Sequence, residues 1–320
     1  MPRNDLHITF LDVGQADAAV IETPRGHVIM IDTGGRLELG KSADEGSSAE
    51  AVGERFVVPF LIRHGIHHVD AVLITHPHGD HVGGLAPILR RLGVGLIFNG
   101  GQAYRGFAYH DGLEEARHRH VPIAHPRAGD VWETDDGVRL RFLTSSGVPI
   151  PDAADPVNEN SLVAMLECDC GPHPPFRALF MGDAGKVSES LLLGRHAQLH
   201  ADLLKVGHHG SRHASSTAFL RAVGASDAVI SDGRHNLYHH PAPQTLAALF
   251  AAHVRVWRTD RCGAVVVSVP SYPSRESRSR SSTSSGGCAK CAEYKYPASQ
   301  PPISGMIQNS QSCPMKSPPA

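Results

Sequence analysis

The sequence predicts a layered α/β domain that ends near Val269 and is followed by a segment of different composition. Three observations carry this prediction: an opening set of β-branched, alternating segments, a later block in which apolar strands and helical stretches alternate, and an abrupt loss of aliphatic residues after residue 270. Strands in two blocks with helices between them are typical of domains whose helices cover the faces of β-sheets. The chain has 320 residues, 41% of them hydrophobic, which is enough for one large core or two smaller ones.

Each element is predicted from the spacing of its apolar residues. Strands are expected where β-branched residues alternate or form short apolar runs, as at 27–31, and helices where apolar residues recur every three or four positions. Helix 49–64 has this spacing although Pro59 interrupts it, and Gly93 ends helix 85–92. In chain order, the predicted elements are strands 7–13, 18–21 and 27–31, helix 49–64, strand 71–74, helix 85–92, strands 95–98, 138–143, 161–167 and 177–181, helix 186–193, strand 202–206, helix 214–223, strand 227–231, helix 242–252, and strands 254–257 and 264–269.

The composition divides the chain into two parts, a folded domain at 1–270 and a disordered low-complexity tail at 271–320. The tail is rich in Ser, Pro, Arg and Lys and has almost no aliphatic periodicity. Such a segment cannot bury enough apolar surface to offset the entropy of ordering it. We therefore expect all the chemistry to lie in the first part.

Charge and cysteine content exclude several classes of protein. The 30 basic and 32 acidic side chains nearly cancel, so nothing predicts long-range attraction to nucleic acid or to an anionic membrane. No apolar run approaches the roughly 18 residues that span a bilayer, and the polar start of the chain lacks the apolar stretch of a signal peptide. The six cysteines do not form the pattern of a secreted disulfide framework. We expect a cytoplasmic protein without a membrane segment.

The strongest chemical signal is the heptapeptide Thr75-His76-Pro77-His78-Gly79-Asp80-His81, directly after the predicted strand 71–74. His76 and His78 are two positions apart, so in an extended segment they project to the same side and can share one metal ion. Gly79 lets the chain turn and brings Asp80 and His81 towards a second ion. Imidazole and carboxylate ligands together suit zinc, manganese or iron better than calcium or magnesium. The sequence therefore predicts a site for two divalent metal ions, Zn or Mn.

This HxHxDH pattern resembles the signature of the metallo-β-lactamase superfamily, which folds as an αββα four-layer sandwich. Other motifs recur in the same order as in the ComEC-like members of that family, which include a domain of the DNA-uptake protein ComEC and its free-standing bacterial relatives. The resemblance spans roughly residues 6–269. The motifs are Asp12-Val13-Gly14-Gln15-Ala16-Asp17, Ile31-Asp32-Thr33-Gly34-Gly35, Asn158-Glu159-Asn160-Ser161, Met181-Gly182-Asp183, Leu204-Lys205-Val206-Gly207-His208-His209-Gly210-Ser211 and His239-His240-Pro241.

The resemblance implies roles for particular residues. His76 and His78 would hold the first metal, Asp80 and His81 the second, and Asp183 would bridge both. His208 matches a further ligand of the second metal and is preferred to its neighbour His209. The remaining implied roles are contacts with the metal ligands or with the substrate for Asp12, Asp17, Asn160 and His209, a supporting role for Asp32 and Gly34 in the turn beneath the site, and catalytic roles for Asp80, Lys205 and His240.

One departure from the wider superfamily concerns the first metal. Many of its hydrolases supply another histidine before the bridging aspartate, whereas this chain has Asn158-Glu159-Asn160-Ser161 there. An asparagine amide is a poor ligand for zinc, so the first ion is expected to be weakly held or to be manganese.

The function implied is that of a metallo-hydrolase that activates water, most simply a ComEC-like phosphodiesterase or nuclease acting on single-stranded DNA or a nucleotide-like diester. One fold hosts many chemistries, so two alternatives stay open. The first is a lactonase or β-lactamase-like carbonyl hydrolase. The second is a non-catalytic metal-binding module, which the full ligand set disfavours because purely structural sites are closed and tetrahedral.

Overall fold

The computed structural model describes residues 5–38, 49–145, 147, 150, 153–170, 175–271 and 307–308. Within them, two mixed β-sheets face each other and helices cover both outer faces. The predicted tail lies outside the described residues except for Ser271 and 307–308, so its disorder stays a prediction. No helix in the described part of the chain is both long and apolar enough to cross a membrane. The cytoplasmic location stays a prediction.

The first sheet has eight strands in the order β15-β14-β1-β2-β3-β4-β5-β6. Three of its pairs are parallel, β3 with β4, β4 with β5 and β5 with β6, and the others are antiparallel. Its strands are β1 (Leu6–Phe10), β2 (Ala18–Glu22), β3 (Val28–Thr33), β4 (His68–Ile74), β5 (Gly93–Asn99), β6 (Ile123–Ala124), β14 (Val265–Val269) and β15 (Ile307–Gln308).

The second sheet has seven strands in the order β13-β12-β11-β10-β9-β8-β7. The strands from β10 to β13 run parallel, whereas β7, β8, β9 and β10 pair antiparallel. Its strands are β7 (Val131–Glu133), β8 (Val138–Phe142), β9 (Ala164–Cys168), β10 (Phe176–Phe180), β11 (Leu203–Lys205), β12 (Asp227–Ile230) and β13 (Arg255–Arg258).

The helices follow the strands in two groups. A π-helical turn, Gly53–Val57, continues into α1, and a 3-10 turn, Gly207–Gly210, follows β11. The α-helices are α1 (Val58–Arg63), α2 (Gly79–Val82), α3 (Leu85–Arg91), α4 (Phe107–His118), α5 (Pro156–Glu159), α6 (Lys186–Gly194), α7 (Thr217–Val223), α8 (Pro243–Ala251) and α9 (Thr259–Cys262).

Three hydrophobic clusters hold the layers together. The central one lies between the two sheets, where Phe10 of β1 stacks on Phe180 of β10 with ring centroids 5.9 Å apart. A second cluster packs α1, α3 and α4 on the first sheet, and a third packs α6, α7 and α8 on the second. Because both faces of each sheet are buried, most of its strands are nearly continuous runs of apolar residues. Such runs make the strands predictable from the sequence.

Candidate metal centre

Four strand ends bring the candidate residues to one edge of the sandwich. Asp32 is the last residue but one of β3, and β4 leads into His76. In the facing sheet, β10 leads into Asp183 and β11 into the turn at 207–210. Both pairs of strands are parallel, so their carboxyl ends meet at the same edge, which is where open parallel sheets usually place their sites.

The turn after His78 depends on a glycine. A Cβ at Gly79 would lie 2.3 Å from the carbonyl oxygen of Arg36, so no larger residue fits there. The chain turns directly into the short helix α2, whose residues Asp80 and His81 are both buried. The glycine therefore allows two ligand-type side chains to point inwards immediately after the extended His78.

One cluster consists of Asp80, His81, Asp183 and His209, all buried. The Nε2 of His81 lies 3.3 Å from Oδ1 of Asp183 and 3.9 Å from Oδ2 of Asp80. The Nε2 of His209 lies 3.3 Å from Oδ2 of Asp80 and 3.7 Å from Oδ1 of Asp183. Two imidazole nitrogens and two carboxylates thus surround one point.

A second group lies on the other side of Asp183. The Oδ2 of Asp183 is 3.7 Å from Nε2 of His76 and 3.9 Å from Nε2 of His208. His76 Nε2 is in turn 3.1 Å from Nδ1 of His78. The two oxygens of one carboxylate therefore face two different groups of histidines.

The neighbouring histidines His208 and His209 lie in different groups, and the assignment is the reverse of the one that the sequence favours. His209, and not His208, joins Asp80 and His81, whereas His208 lies beside His76 across Asp183. The turn that carries them has left-handed backbone angles, with φ of 48° at His208 and 51° at His209. Such angles cost non-glycine residues about 1–3 kcal/mol each and persist only where the surroundings enforce them. Consecutive left-handed residues send the two rings to opposite sides of the carboxylate.

Acceptors behind three of the rings fix the orientation of each imidazole. His81 Nδ1 donates to Oδ2 of Asp32 over 2.8 Å, and His209 Nδ1 donates to the carbonyl oxygen of Ser231 over 2.9 Å. The hydroxyl of Thr75 donates to Asp32, so its oxygen accepts from Nδ1 of His76. With each Nδ1 occupied in this way, the Nε2 atoms are left for a ligand in front, as in most metal-binding histidines.

The electrostatics show an excess of negative charge at this centre. Burial opposes the charged form of His209, yet the carboxylates of Asp183 and Asp17 outweigh it and raise its pKa to about 10. The pKa of His81 is likewise raised despite burial, by Asp183, Asp32 and Asp80. Burial and the neighbouring His81 hold the pKa of His76 well below its usual value. The cluster therefore attracts cations.

The residues present fit divalent metal ions. Twelve buried side-chain atoms lack a hydrogen-bond partner among the described residues, and four of them come together in the first cluster: Oδ1 of Asp80, Nε2 of His81, Oδ1 of Asp183 and Nε2 of His209. Orphaned buried polar groups are costly unless something satisfies them. A set of imidazole nitrogens and carboxylate oxygens suits zinc, manganese or iron.

Several residues singled out from the sequence lie elsewhere than expected. Asp12 is exposed, with Arg234 and Asp260 as its charged neighbours. The amide of Asn160 donates to the carbonyl of Pro156 and its oxygen accepts from Ile150, so this side chain supports its own loop. The expectation from the sequence is that Asp12 orients an imidazole of the site. Asp32 does this instead, because it lies near the end of β3, where its carboxylate accepts from Nδ1 of His81.

The two predicted catalytic groups outside the cluster differ in their access to the centre. The Nζ of Lys205 is buried in an ion pair with Asp17, at 2.7 Å, and also donates to the carbonyl of Val206. It therefore supports the cluster from beneath. His240 is half-buried and lines the cleft above the cluster. Burial and the nearby His209 and His208 lower the pKa of His240 to about 4, so its ring is neutral.

The cleft above the cluster has a volume of about 370 Å³ and contains residues that the sequence reasoning did not single out. Asn158 donates to Asp155 and lies 3.4 Å from Nε2 of His208, and its own oxygen is buried without a partner among the described residues. Tyr104 packs edge-on against His78, with ring centroids 5.2 Å apart. Asn158 belongs to a recognised motif and could have been weighed beside Asn160, whereas nothing in the sequence marks Tyr104.

Comparisons with known proteins relate the chain to a known family. Residues 11–157 match the family model of the Metallo-beta-lactamase superfamily. ComE operon protein 3 of Bacillus subtilis (strain 168) is 32% identical over 265 residues, covering 81% of this chain and 32% of that protein. Competence protein ComA of Neisseria gonorrhoeae is 30% identical over 266 residues, covering 83% of this chain and 32% of that protein. The chain thus spans about a third of the length of these relatives.

Among solved structures, CmlA, a diiron β-hydroxylase from Streptomyces venezuelae, superposes with a TM-score of 0.52 and 11% sequence identity, covering 84% of this chain and 55% of that one. At this identity the likeness shows the fold alone. Together with the order of layers, it confirms the αββα sandwich that the sequence predicts.

Proposed function

Because the chain contains a domain of the metallo-β-lactamase superfamily, we propose that it is a metal-dependent phosphodiesterase acting on nucleic acid. The observation that carries this proposal is the placement of Asp183, whose two carboxylate oxygens face two separate groups of histidines. A carboxylate shared in this way would be able to contact two cations, one through each oxygen. Such paired sites suit displacement at phosphorus, where both the attacking and the leaving oxygen need stabilisation.

The ligands follow from the two groups. Asp80, His81 and His209 would hold one ion, and His76, His78 and His208 the other, with Asp183 common to both. Zinc and manganese both accept this donor set. When bound, the ions lower the pKa of water and polarise a phosphoryl oxygen.

The chain's own residues supply orientation and hydrogen bonds. Asp32, Thr75 and Ser231 hold the imidazoles of His81, His76 and His209 in the required orientation. Asp17 forms an ion pair with Lys205, and its Oδ1 lies 3.4 Å from Nδ1 of His209, on the side of the ring away from the cluster.

His240 acts as a neutral hydrogen-bonding group on the cleft wall. Its low pKa leaves the ring uncharged at neutral pH, and its buried Nδ1 has no partner among the described atoms. Asn158 provides a second polar contact on the same wall through its unpaired oxygen. Neither residue brings a formal charge to the substrate.

The substrate class draws support from a relative. Competence protein ComA is named for competence, the uptake of DNA, and aligns with this chain over 266 residues. We therefore take single-stranded DNA, or a nucleotide-like diester, as the substrate class.

The experiment is hydrolysis of bis-p-nitrophenyl phosphate and of a single-stranded oligonucleotide by the purified chain, with zinc or manganese added. His76→Ala and Asp183→Ala are expected to abolish turnover, whereas His118→Ala, an exposed histidine of α4, serves as the matched control. No turnover by a protein that binds two metal ions would contradict the proposal. Turnover of a lactone in place of both phosphodiesters would make the chain a carbonyl hydrolase.

A further inference from the structure

A second groove of about 500 Å³ continues from the cleft above the metal cluster. We call it the Arg212 groove, after a lining that includes Arg212, His213, Tyr238 and His239. His208, Tyr238 and His240 line both the groove and the cleft. A substrate held at the metal cluster can therefore extend into the groove without leaving the surface.

The groove and the cleft differ in the charge of their linings. Among the described residues, the groove lining includes the exposed Arg212 and no acidic residue, and the Nζ of Lys186 donates to the carbonyl oxygen of Arg212, so a second cation lies close by. The cleft lining includes the acidic Glu38, Asp155, Asp80 and Asp183. A polyanion that reaches the metal cluster is therefore attracted more strongly to the groove than to the rest of the cleft.

An aromatic ring lies at the junction of groove and cleft. Tyr238 is 45% exposed, and its ring lies 5.8 Å from that of His240, at an angle of 31°. Nucleic-acid bases stack on exposed aromatic rings irrespective of their sequence. The face of a base is open only when the strand is unpaired, since stacking neighbours cover it in a duplex.

The two loops that form the groove are fixed before any substrate binds. The amide of Ala242 donates to Gly210, and the hydroxyl of Thr245 donates to the carbonyl of Ser211. A Cβ at Gly210 would lie 2.6 Å from Cβ of Pro241, so the loops meet in direct contact. Asn236 bonds both the amide and the carbonyl of His240. A preformed surface binds with a smaller loss of conformational entropy.

The groove continues from the cleft, its lining is cationic, and the exposed ring of Tyr238 lies at the junction. We therefore propose that the Arg212 groove binds the nucleotide next to the scissile phosphodiester. Arg212 contacts its phosphate and Tyr238 stacks on its base. The preferred substrate is then a single-stranded nucleic acid longer than a dinucleotide. This inference rests on the proposed phosphodiesterase function, which it deepens by adding a specificity determinant.

The test compares Arg212→Ala and Tyr238→Ala with the unmodified chain on a single-stranded oligonucleotide and on bis-p-nitrophenyl phosphate. For Arg212→Ala, the loss of kcat/KM is expected to be about tenfold on the oligonucleotide and several-fold smaller on the small diester, because Arg212 lines the groove and not the cleft. Tyr238 lines both, so Tyr238→Ala is tested by a loss of affinity for the oligonucleotide. Arg221→Ala, an exposed arginine of α7, is the control. Removing one phosphate contact should also lower the salt-dependence slope of oligonucleotide binding by about 1.

Failure of this inference can be told apart from failure of the proposed function. The inference would be overturned, and the proposed function kept, by the following result. The unmodified chain hydrolyses the small diester with metal, and the groove variants lose either equal activity on both substrates or no activity at all. Preference for a duplex over a single strand would also overturn it. Fluorescence anisotropy of a labelled oligothymidylate, measured without turnover, tests the groove even if no hydrolysis is found. Equal affinity of the Arg212→Ala and Arg221→Ala variants for that probe would refute it.

Discussion

The Nζ of Lys205 lies 2.7 Å from Oδ2 of Asp17, and this buried ion pair lies behind the ring of His209. The pair joins β11 of one sheet to the start of β2 in the other, 188 positions apart in sequence. Burial disfavours the charged form of Asp17, yet Lys205 and His209 hold the pKa of that carboxyl below its usual range. The lysine thus compensates a carboxylate that helps to position a ligand-type histidine.

Replacing Lys205 by Met should leave the buried carboxylate of Asp17 without its lysine partner. Breaking a buried pair on one side costs about 3–5 kcal/mol in the free energy of unfolding. Denaturant unfolding of Lys205→Met should show this loss, and the double variant Lys205→Met with Asp17→Asn should regain part of it. Equal unfolding midpoints for Lys205→Met and the unmodified chain would show that the pair contributes little.

Asp32→Asn should weaken metal binding without removing a ligand. Asp32 accepts from the amide and hydroxyl of Thr75 and from Nδ1 of His81, and an asparagine amide cannot accept all three. Loss of such an outer contact typically lowers metal affinity about 10–100-fold. Isothermal titration with zinc measures the effect, and Asp12→Asn at an exposed position is the control. Unchanged affinity in Asp32→Asn would mean that His81 keeps its orientation without the carboxylate.

The two neighbouring histidines should differ in which ion they hold. His209→Ala removes an imidazole from the cluster of Asp80, His81 and Asp183, whereas His208→Ala leaves that cluster complete and affects the group around His76. Elemental analysis of both purified variants, after dialysis against zinc, should show loss of the tighter ion in His209→Ala alone. The opposite pattern would support the assignment that the sequence favours.

His27 should make stability depend on pH. Its Nδ1 lies 2.9 Å from Oδ1 of Asp70, and its Nε2 lies 2.7 Å from Oδ1 of Asp135 in the turn between β7 and β8. These two hydrogen bonds raise its pKa. The stabilisation is complete below the unfolded value of about 6.5 and is lost as the pH rises through the folded value.

The His27→Gln variant checks this dependence. The difference in unfolding free energy between the two proteins should be larger near pH 6 than near pH 9, by a modest amount because the side chain of His27 is partly exposed and that of its partner Asp135 is 71% exposed. A difference that grows with pH would contradict the sign of the effect.

The sequence by itself determined the order and type of most elements and the centre of the site. The last four residues of β4, 71–74, form a continuous apolar run. A parallel strand that is covered by other layers on both faces needs such a run, because both faces are buried. The HxHxDH segment was recognisable because its four ligand-type residues are local. Helix α4 was missed because its composition is mostly polar and Gly112, a residue that disfavours helices, lies in its interior.

Only the tertiary structure decided which distant residues meet. Whether His208 or His209 faces Asp80 depends on two left-handed backbone angles, and these are imposed by contacts of the turn with strands and loops elsewhere in the chain. The choice of Asp32 over Asp12 depends likewise on where β3 ends relative to β4. Side-chain spacing within one segment is a local property, whereas the direction in which a loop residue points is set by packing between segments, and no single segment of sequence contains that information.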